Sequence, residues 1–146
     1  MKKIQAIPKV AFDKAFTTEI MSKYDYACFI SILDADSTEQ KYDRNLANFL
    51  QVKFWDIEED LFTNKILKYA KPSDEELQKI VDFVNRHSDK DVFVIHCSAG
   101  ISRSGAVATY IKDKFHDEVN EVYFSSNNHH IQPNLYVLKS LKRLDK

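Results

Sequence analysis

The chain has 146 residues, 44% of them hydrophobic and 29% charged, with 21 Lys and Arg against 22 Asp and Glu for a formal net charge of −1. That balance is ordinary for a soluble globular chain and provides no basic footprint for a nucleic-acid backbone. The length suits a single domain over 1–146, and two cysteines without framework spacing point to a reducing, cytoplasmic setting.

Met1-Lys2-Lys3 begins like the basic start of a signal peptide, but Gln5, Pro8 and Lys9 interrupt the run from Ile4 to Val10. No uninterrupted apolar stretch has the length of a membrane-spanning helix, so no membrane partner is expected. The residues up to about Tyr24 carry no pattern that assigns them. Ala27–Leu33 is short, apolar and β-favouring and predicts a buried strand, with Asp34-Ala35-Asp36-Ser37 as a loop after it. A second strand is predicted over Phe49–Phe54, ending at Trp55-Asp56, and Leu61–Tyr69 has apolar residues at helical spacing. Ser73 and Glu76 are spaced as a capping box, and Leu77, Ile80, Val81 and Val84 carry a helix to the polar break Asn85–Asp91. A strand over Val92–Ile95 follows, then an unusual loop and a helix from about Ser104 to Phe115. Segments 34–44 and 120–132 read as loops. The last helix is predicted over Asn134–Leu144, with Pro133 at its start and Leu135, Leu138 and Leu141 on one side. Strands alternating with helices predict an α/β fold, with a central, mostly parallel sheet of four to five strands flanked by helices.

The loop carries the chemistry. Both glycines of the chain, Gly100 and Gly105, fall in or beside His96-Cys97-Ser98-Ala99-Gly100-Ile101-Ser102-Arg103-Ser104. A chain so poor in glycine that clusters both needs unusual backbone geometry there. A loop from strand end to helix start aims N–H groups and a positive dipole end at one point, which suits an anion. Amides from Ser98 through Ala99, Gly100, Ile101 and Ser102 to Arg103 form a nest around one tetrahedral anion, and the Arg103 guanidinium clasps two of its oxygens. Cys97, at the helix N-terminus beside Arg103 and close to His96, is placed where a thiolate is favoured. The Ser104 hydroxyl can reach back to the sulfur. A cysteine six positions before an arginine is a weak signal, and a cysteine ending a core strand is ordinarily a small apolar residue. The conjunction of His, Cys, Gly, Arg and Ser at these spacings, with strand before and helix after, is what makes the signal specific.

His96 to Ser104 resembles the signature H-C-x-x-G-x-x-R-S/T of the cysteine-based protein tyrosine phosphatases, most closely the dual-specificity branch and its small microbial relatives. The resemblance implies that Cys97 is the nucleophile that becomes phosphorylated, Arg103 the phosphate clamp and Ser104 the hydroxyl that assists the thiolate. It implies a phosphorylated protein as substrate, phosphotyrosine and also phosphoserine or phosphothreonine, with no metal or other cofactor. The low-molecular-weight branch, whose signature lies near the N-terminus, does not fit a signature in the second half of the chain.

Cleavage also needs a proton donor for the departing oxygen and then a base for water. In the family this is an aspartate on a loop after an upstream strand, and the matching position is Asp56, with Glu58, Glu59 and Asp60 as competitors. The Trp-Pro-Asp triplet of the receptor-like branch is absent. His96 is expected to orient the loop and tune the thiolate. Asn134 resembles a family position that buttresses the loop, and could equally be the N-cap of the last helix. Cys28 is expected to pack in the core, with a resolving role for an oxidised Cys97 as the alternative. His116, His129 and His130 lack metal-ligand spacing. Lys41, Arg44 and Lys53 are either surface charges or a source of positive potential near the site. Two other functions remain open: a non-catalytic phosphoprotein-binding module, and a phosphatase for a phosphoinositide or an RNA 5′ end. Lipid-directed relatives often carry lysines inside the loop, where this chain has Ser98, Ala99, Ile101 and Ser102.

Overall fold

The computed structural model describes residues 1–58 and 71–146; the helical spacing over Leu61–Tyr69 and the carboxylates Glu59 and Asp60 lie outside the described residues. Four parallel strands, β1 (Lys3–Pro8), β2 (Ala27–Leu33), β3 (Phe49–Lys53) and β4 (Val92–Cys97), make one sheet in the order β1-β4-β2-β3. The helices are α1 (Lys9–Ala15), α2 (Thr18–Lys23), α3 (Asp74–Arg86), α4 (Arg103–Lys114), α5 (Glu121–Asn127) and α6 (Leu135–Leu144), with a 3-10 turn at His116–Glu118. The α/β class and parallel sheet are as the alternation of patterns predicts. Among the described residues no helix is long and apolar enough to cross a membrane.

Strand alternation divides the core in two. Cys28, Ile30 and Ile32 of β2 and Phe93, Ile95 and Cys97 of β4 face one side, where Leu77, Ile80, Val81 and Val84 of α3, Val107 and Ile111 of α4, and Val137 and Leu141 of α6 cover them. Phe29 and Val94 face the other side and pack on Phe12 of α1 and Met21 of α2. The two interior strands are therefore buried on both faces, as an apolar run without alternation requires.

Several boundaries shift from the sequence expectation. β4 runs two residues past Ile95 to include His96 and Cys97, while β3 stops at Lys53. The unassigned N-terminal segment supplies β1, α1 and α2; the alternation Lys3-Ile4-Gln5-Ala6 was its available signal, with Ile4 and Ala6 buried. Segment 120–132 is not all loop: Asn120 accepts from the Tyr123 amide and starts α5. Leu135 is not on the buried side of α6 but is 54% exposed, while Val137, Ser140 and Leu141 are buried. At α3, Ser73 caps the Glu76 amide at 3.2 Å as the box predicts, but the Glu76 carboxylate turns outward to accept from the Lys53 amide at 3.1 Å. That bond ties the end of β3 to the start of α3.

At the outer edge of β1 a buried side chain takes up two strand backbone groups. Buried Asn128, just after α5, accepts from the Ala6 amide at 2.8 Å and donates to the Ile4 carbonyl at 2.7 Å, standing in for a neighbouring strand.

Candidate active site

In a parallel sheet the carboxyl ends of the strands are where distant segments meet and ligands bind. Here β1 runs into Lys9, β2 into Asp34, β3 into Phe54–Asp56, and β4 delivers Cys97 and the loop 98–102. Cys97 is 3% exposed at the floor of the loop, and the Ser104 hydroxyl oxygen lies 3.1 Å from its Sγ.

The loop backbone is oriented from outside. The Ser98 carbonyl accepts from the Lys9 amide at 3.2 Å, the Ile101 carbonyl from Gln132 at 3.0 Å and the Ser102 carbonyl from Asn134 at 3.0 Å. In a planar trans peptide the N–H points opposite to the C=O, so the amides of Ala99, Ser102 and Arg103 are turned away from those partners, as in an amide nest. Gly100 has φ +73°, and a Cβ there would sit 2.4 Å from the Ile7 carbonyl carbon and 2.5 Å from the Pro8 nitrogen. Both reasons for a glycine, left-handed backbone and close approach, hold at this one position. Gly105 packs differently: its Cβ would meet Ile131 Cβ at 3.0 Å.

Arg103 opens α4 and is buried. Its Nη1 donates to Asp34 Oδ1 at 2.9 Å and to the Phe54 carbonyl at 2.7 Å, and its Nη2 donates to Ser98 Oγ at 3.1 Å. Its buried Nε has no partner among the described residues. Leaving a charged donor unpaired is costly, and the Nε–Nη2 edge is the side from which a guanidinium grips an oxyanion in bidentate fashion.

Asp56 reaches this loop. Its Oδ1 accepts from Ser102 Oγ at 2.8 Å and from Asn134 Nδ2 at 2.9 Å. Glu58 is directed elsewhere, its Oε1 accepting from the Leu135 amide at 2.9 Å in the first turn of α6. Of the two described carboxylates, Asp56 is therefore the one that meets the loop. Asn134 is the N-cap of α6, its Oδ1 accepting from the Val137 amide at 3.0 Å, while its Nδ2 donates not to the loop but to Asp56 and, at 3.4 Å, to the Ile57 carbonyl.

His96 departs from one of its two expected roles, the tuning of the thiolate. Adjacent residues of a strand project to opposite faces, so its ring lies on the α1 side, against Phe12, and away from the Cys97 sulfur. Burial pushes its pKa down to about 4, so the ring is neutral and brings no positive charge to the thiolate. It orients instead: Nε2 meets Ser31 Oγ at 2.7 Å on the neighbouring strand, and Nδ1 meets the Cys97 carbonyl at 3.4 Å.

Cys28 is fully buried and burial pushes its thiol up to about 12. It pairs in register with Phe93, four residues before Cys97, which separates the two thiols by about 13 Å along the strand. A disulfide between them is out of reach. Among the described residues no group of three His, Cys, Asp or Glu is arranged to hold a metal ion. His129 meets the Ser126 carbonyl, His130 donates to the Ala6 carbonyl, and His116 lies against Asp117. Lys41 pairs with Asp13, Lys53 donates to the Ser37 carbonyl, and Arg44 is exposed.

Sequence reading missed two contributors, Asp34 and the Phe54 carbonyl, which together hold Arg103. Only the position of Asp34, an acid directly after a strand, hinted at the first.

No family model and no curated protein matches the sequence. Solved structures share its fold. A human tyrosine phosphatase-like serine/threonine/tyrosine-interacting protein superposes with a TM-score of 0.57 at 15% identity, over 97% of this chain and 89% of that one. The PTP-2 phosphatase of Cydia pomonella gives 0.54 at 18% identity, over 98% and 86%. PTPMT1 in complex with PI(5)P gives 0.54 at 15% identity, over 98% and 90%.

Proposed function

We propose that this chain, which has the fold of the cysteine-based tyrosine and dual-specificity phosphatases, hydrolyses phosphomonoesters through a cysteinyl-phosphate intermediate. The observation that carries the reading is the meeting of Asp56 with Ser102 on the same loop whose floor is Cys97 and whose last residue is Arg103. A nucleophile and an anion clamp from the end of β4 and a proton donor from the end of β3 then address one point.

The phosphate lies against the loop amides and the Nε–Nη2 edge of Arg103. Cys97 Sγ attacks phosphorus, the P–O ester bond breaks, and its electron pair leaves with the oxygen, which takes a proton from Asp56. Ser104 donates to the sulfur, which favours its later departure. Water then attacks phosphorus, giving its proton to Asp56; the S–P bond breaks and inorganic phosphate leaves. The substrate is a phosphorylated protein, through phosphotyrosine and also phosphoserine or phosphothreonine, and two unpaired cysteines suit a reducing, cytoplasmic setting. A neighbour in fold holds PI(5)P, but the side chains of Ser98, Ala99, Ile101 and Ser102 offer no cation to a second phosphate.

The test is turnover of an aryl phosphate in the presence of a chelator. The wild-type chain is expected to turn over and to be blocked by vanadate, and Cys97→Ser to be inactive while still binding phosphate. Phosphate binding without turnover in the wild type would instead show a binding module.

A further inference from the structure

We infer that Ser102 and Asn134 are positioning residues for Asp56, fixing which of its two carboxyl oxygens carries the transferred proton. The inference rests on the proposed function and concerns the same site.

The two residues occupy equivalent places on different helices. Ser102 is the N-cap of α4 and Asn134 the N-cap of α6. A serine at an N-cap ordinarily accepts from an amide of its own helix. Ser102 makes no such bond; its hydroxyl donates to Asp56 Oδ1 at 2.8 Å. Asn134 does cap its helix through Oδ1, which leaves its Nδ2 to donate to the same Asp56 oxygen at 2.9 Å. Two donors from two helices therefore converge on one carboxyl oxygen, and among the described residues no hydrogen bond goes to the other.

The chemical consequence follows from the acceptor count. An oxygen that already receives two N–H or O–H donors has no free lone pair for a proton, because a carboxyl oxygen offers about two such sites. When Asp56 binds a proton, the proton goes to Oδ2. The same pair of bonds fixes the plane of the carboxyl group relative to the loop, since Ser102 belongs to the loop and its carbonyl is itself held by the Asn134 amide at 3.0 Å. Acid and phosphate cradle are thus one hydrogen-bonded unit, in which the donating oxygen is selected by what the other accepts. Proton transfer depends on heavy-atom geometry within hydrogen-bond reach, so losing this constraint should cost the acid step and not the attack by sulfur.

The esters that separate these steps are a nitrophenyl phosphate, whose phenolate leaves without a proton, and phenyl phosphate, whose phenolate needs one. Ser102→Ala removes no helix cap bond. It is expected to lower kcat on phenyl phosphate about tenfold more than on the nitrophenyl ester, with Ser102→Thr restoring the ratio. Asn134→Ser, which keeps a capping oxygen but withdraws the donor, should shift the ratio in the same direction. In an Asp56→Asn background the discrimination by Ser102→Ala should disappear. Equal losses on the two esters, or discrimination that persists in that background, would overturn the inference and leave the proposed function intact. An Asp56→Asn chain with undiminished kcat on phenyl phosphate would refute the proposed acid itself, and the inference with it.

Discussion

Replacing Gly100 by alanine tests whether the loop must lie where it does. The residue has φ +73°, which costs an alanine about 1–2 kcal/mol. The larger effect is steric. The new methyl would sit 2.4 Å from the Ile7 carbonyl carbon, 2.5 Å from the Pro8 nitrogen and 2.7 Å from the Ile7 carbonyl oxygen. All three are backbone atoms at the carboxyl end of β1, which is paired to β4 through Ile7↔His96 and Pro8↔Cys97 and cannot step aside alone. Ordinary contact lies near 3.5–4.0 Å, so the loop has to move by about 1 Å. A misplacement of that size costs about 100-fold in a positioned reaction, or about 3 kcal/mol of transition-state stabilisation. The assay pairs kcat/KM on an aryl phosphate with a urea unfolding curve and with phosphate affinity. Gly100→Ala should lose about 100-fold in kcat/KM and bind phosphate poorly while staying folded. Gly105→Ala is the control: it sits in a helix, its methyl would meet the Ile131 side chain at 3.0 Å and the Pro133 nitrogen at an ordinary 3.6 Å, and it should change stability by about 1 kcal/mol or less. A Gly100→Ala chain that kept wild-type kcat/KM would refute the argument that this close approach sets the loop.

Three further outcomes are expected. His96 is neutral when folded, with a pKa of about 4 against about 6.5 when unfolded, so the unfolded chain binds the extra proton between those values. Its contribution is complete above pH 6.5 and is lost as pH falls toward 4, by about 3 kcal/mol; a His96→Asn chain should show a shallower fall in urea midpoint over that window, and an identical fall would contradict it. Asn128→Ala strips the Ala6 amide and the Ile4 carbonyl of buried partners and should cost about 2–4 kcal/mol in urea unfolding; less than about 1 kcal/mol would mean that the β1 edge is closed otherwise. Asp34→Ala removes one of two Nη1 partners of Arg103, but that carboxylate is 46% exposed, so the loss is discounted to about 1 kcal/mol. KM on an aryl phosphate should rise about fivefold, and an unchanged KM would show that the Phe54 carbonyl and Ser98 suffice to orient the guanidinium.

The local devices were legible because their causes are local. The apolar run Ala27–Leu33 has to be buried on both faces, which only an interior strand offers. Ser73 three residues before Glu76 sets the start of α3, and Asn134 before Leu135 sets the start of α6. Gly100 announced an unusual backbone, because a glycine between a β-branched strand and a helix has little other use. The spacing of Cys97, Arg103 and Ser104 within one turn of chain likewise needed nothing outside itself.

What the sequence could not determine depended on register and on which strand lies beside which. The order β1-β4-β2-β3 sets Asp34, Phe54 and Asp56 around a loop they precede by none of the short spacings that motifs record. Only the sheet could show that Arg103 is held by Asp34 and that Glu58 turns to α6 while Asp56 turns to Ser102. The pleat alone separates His96 from the sulfur of its neighbour, and the register alone puts Cys28 beyond bonding distance. Short-range chemistry was written in the order of the residues; which distant carboxylate meets which cation was decided when four strand ends came to one edge, because only there do groups tens of residues apart share a single hydrogen-bonding distance.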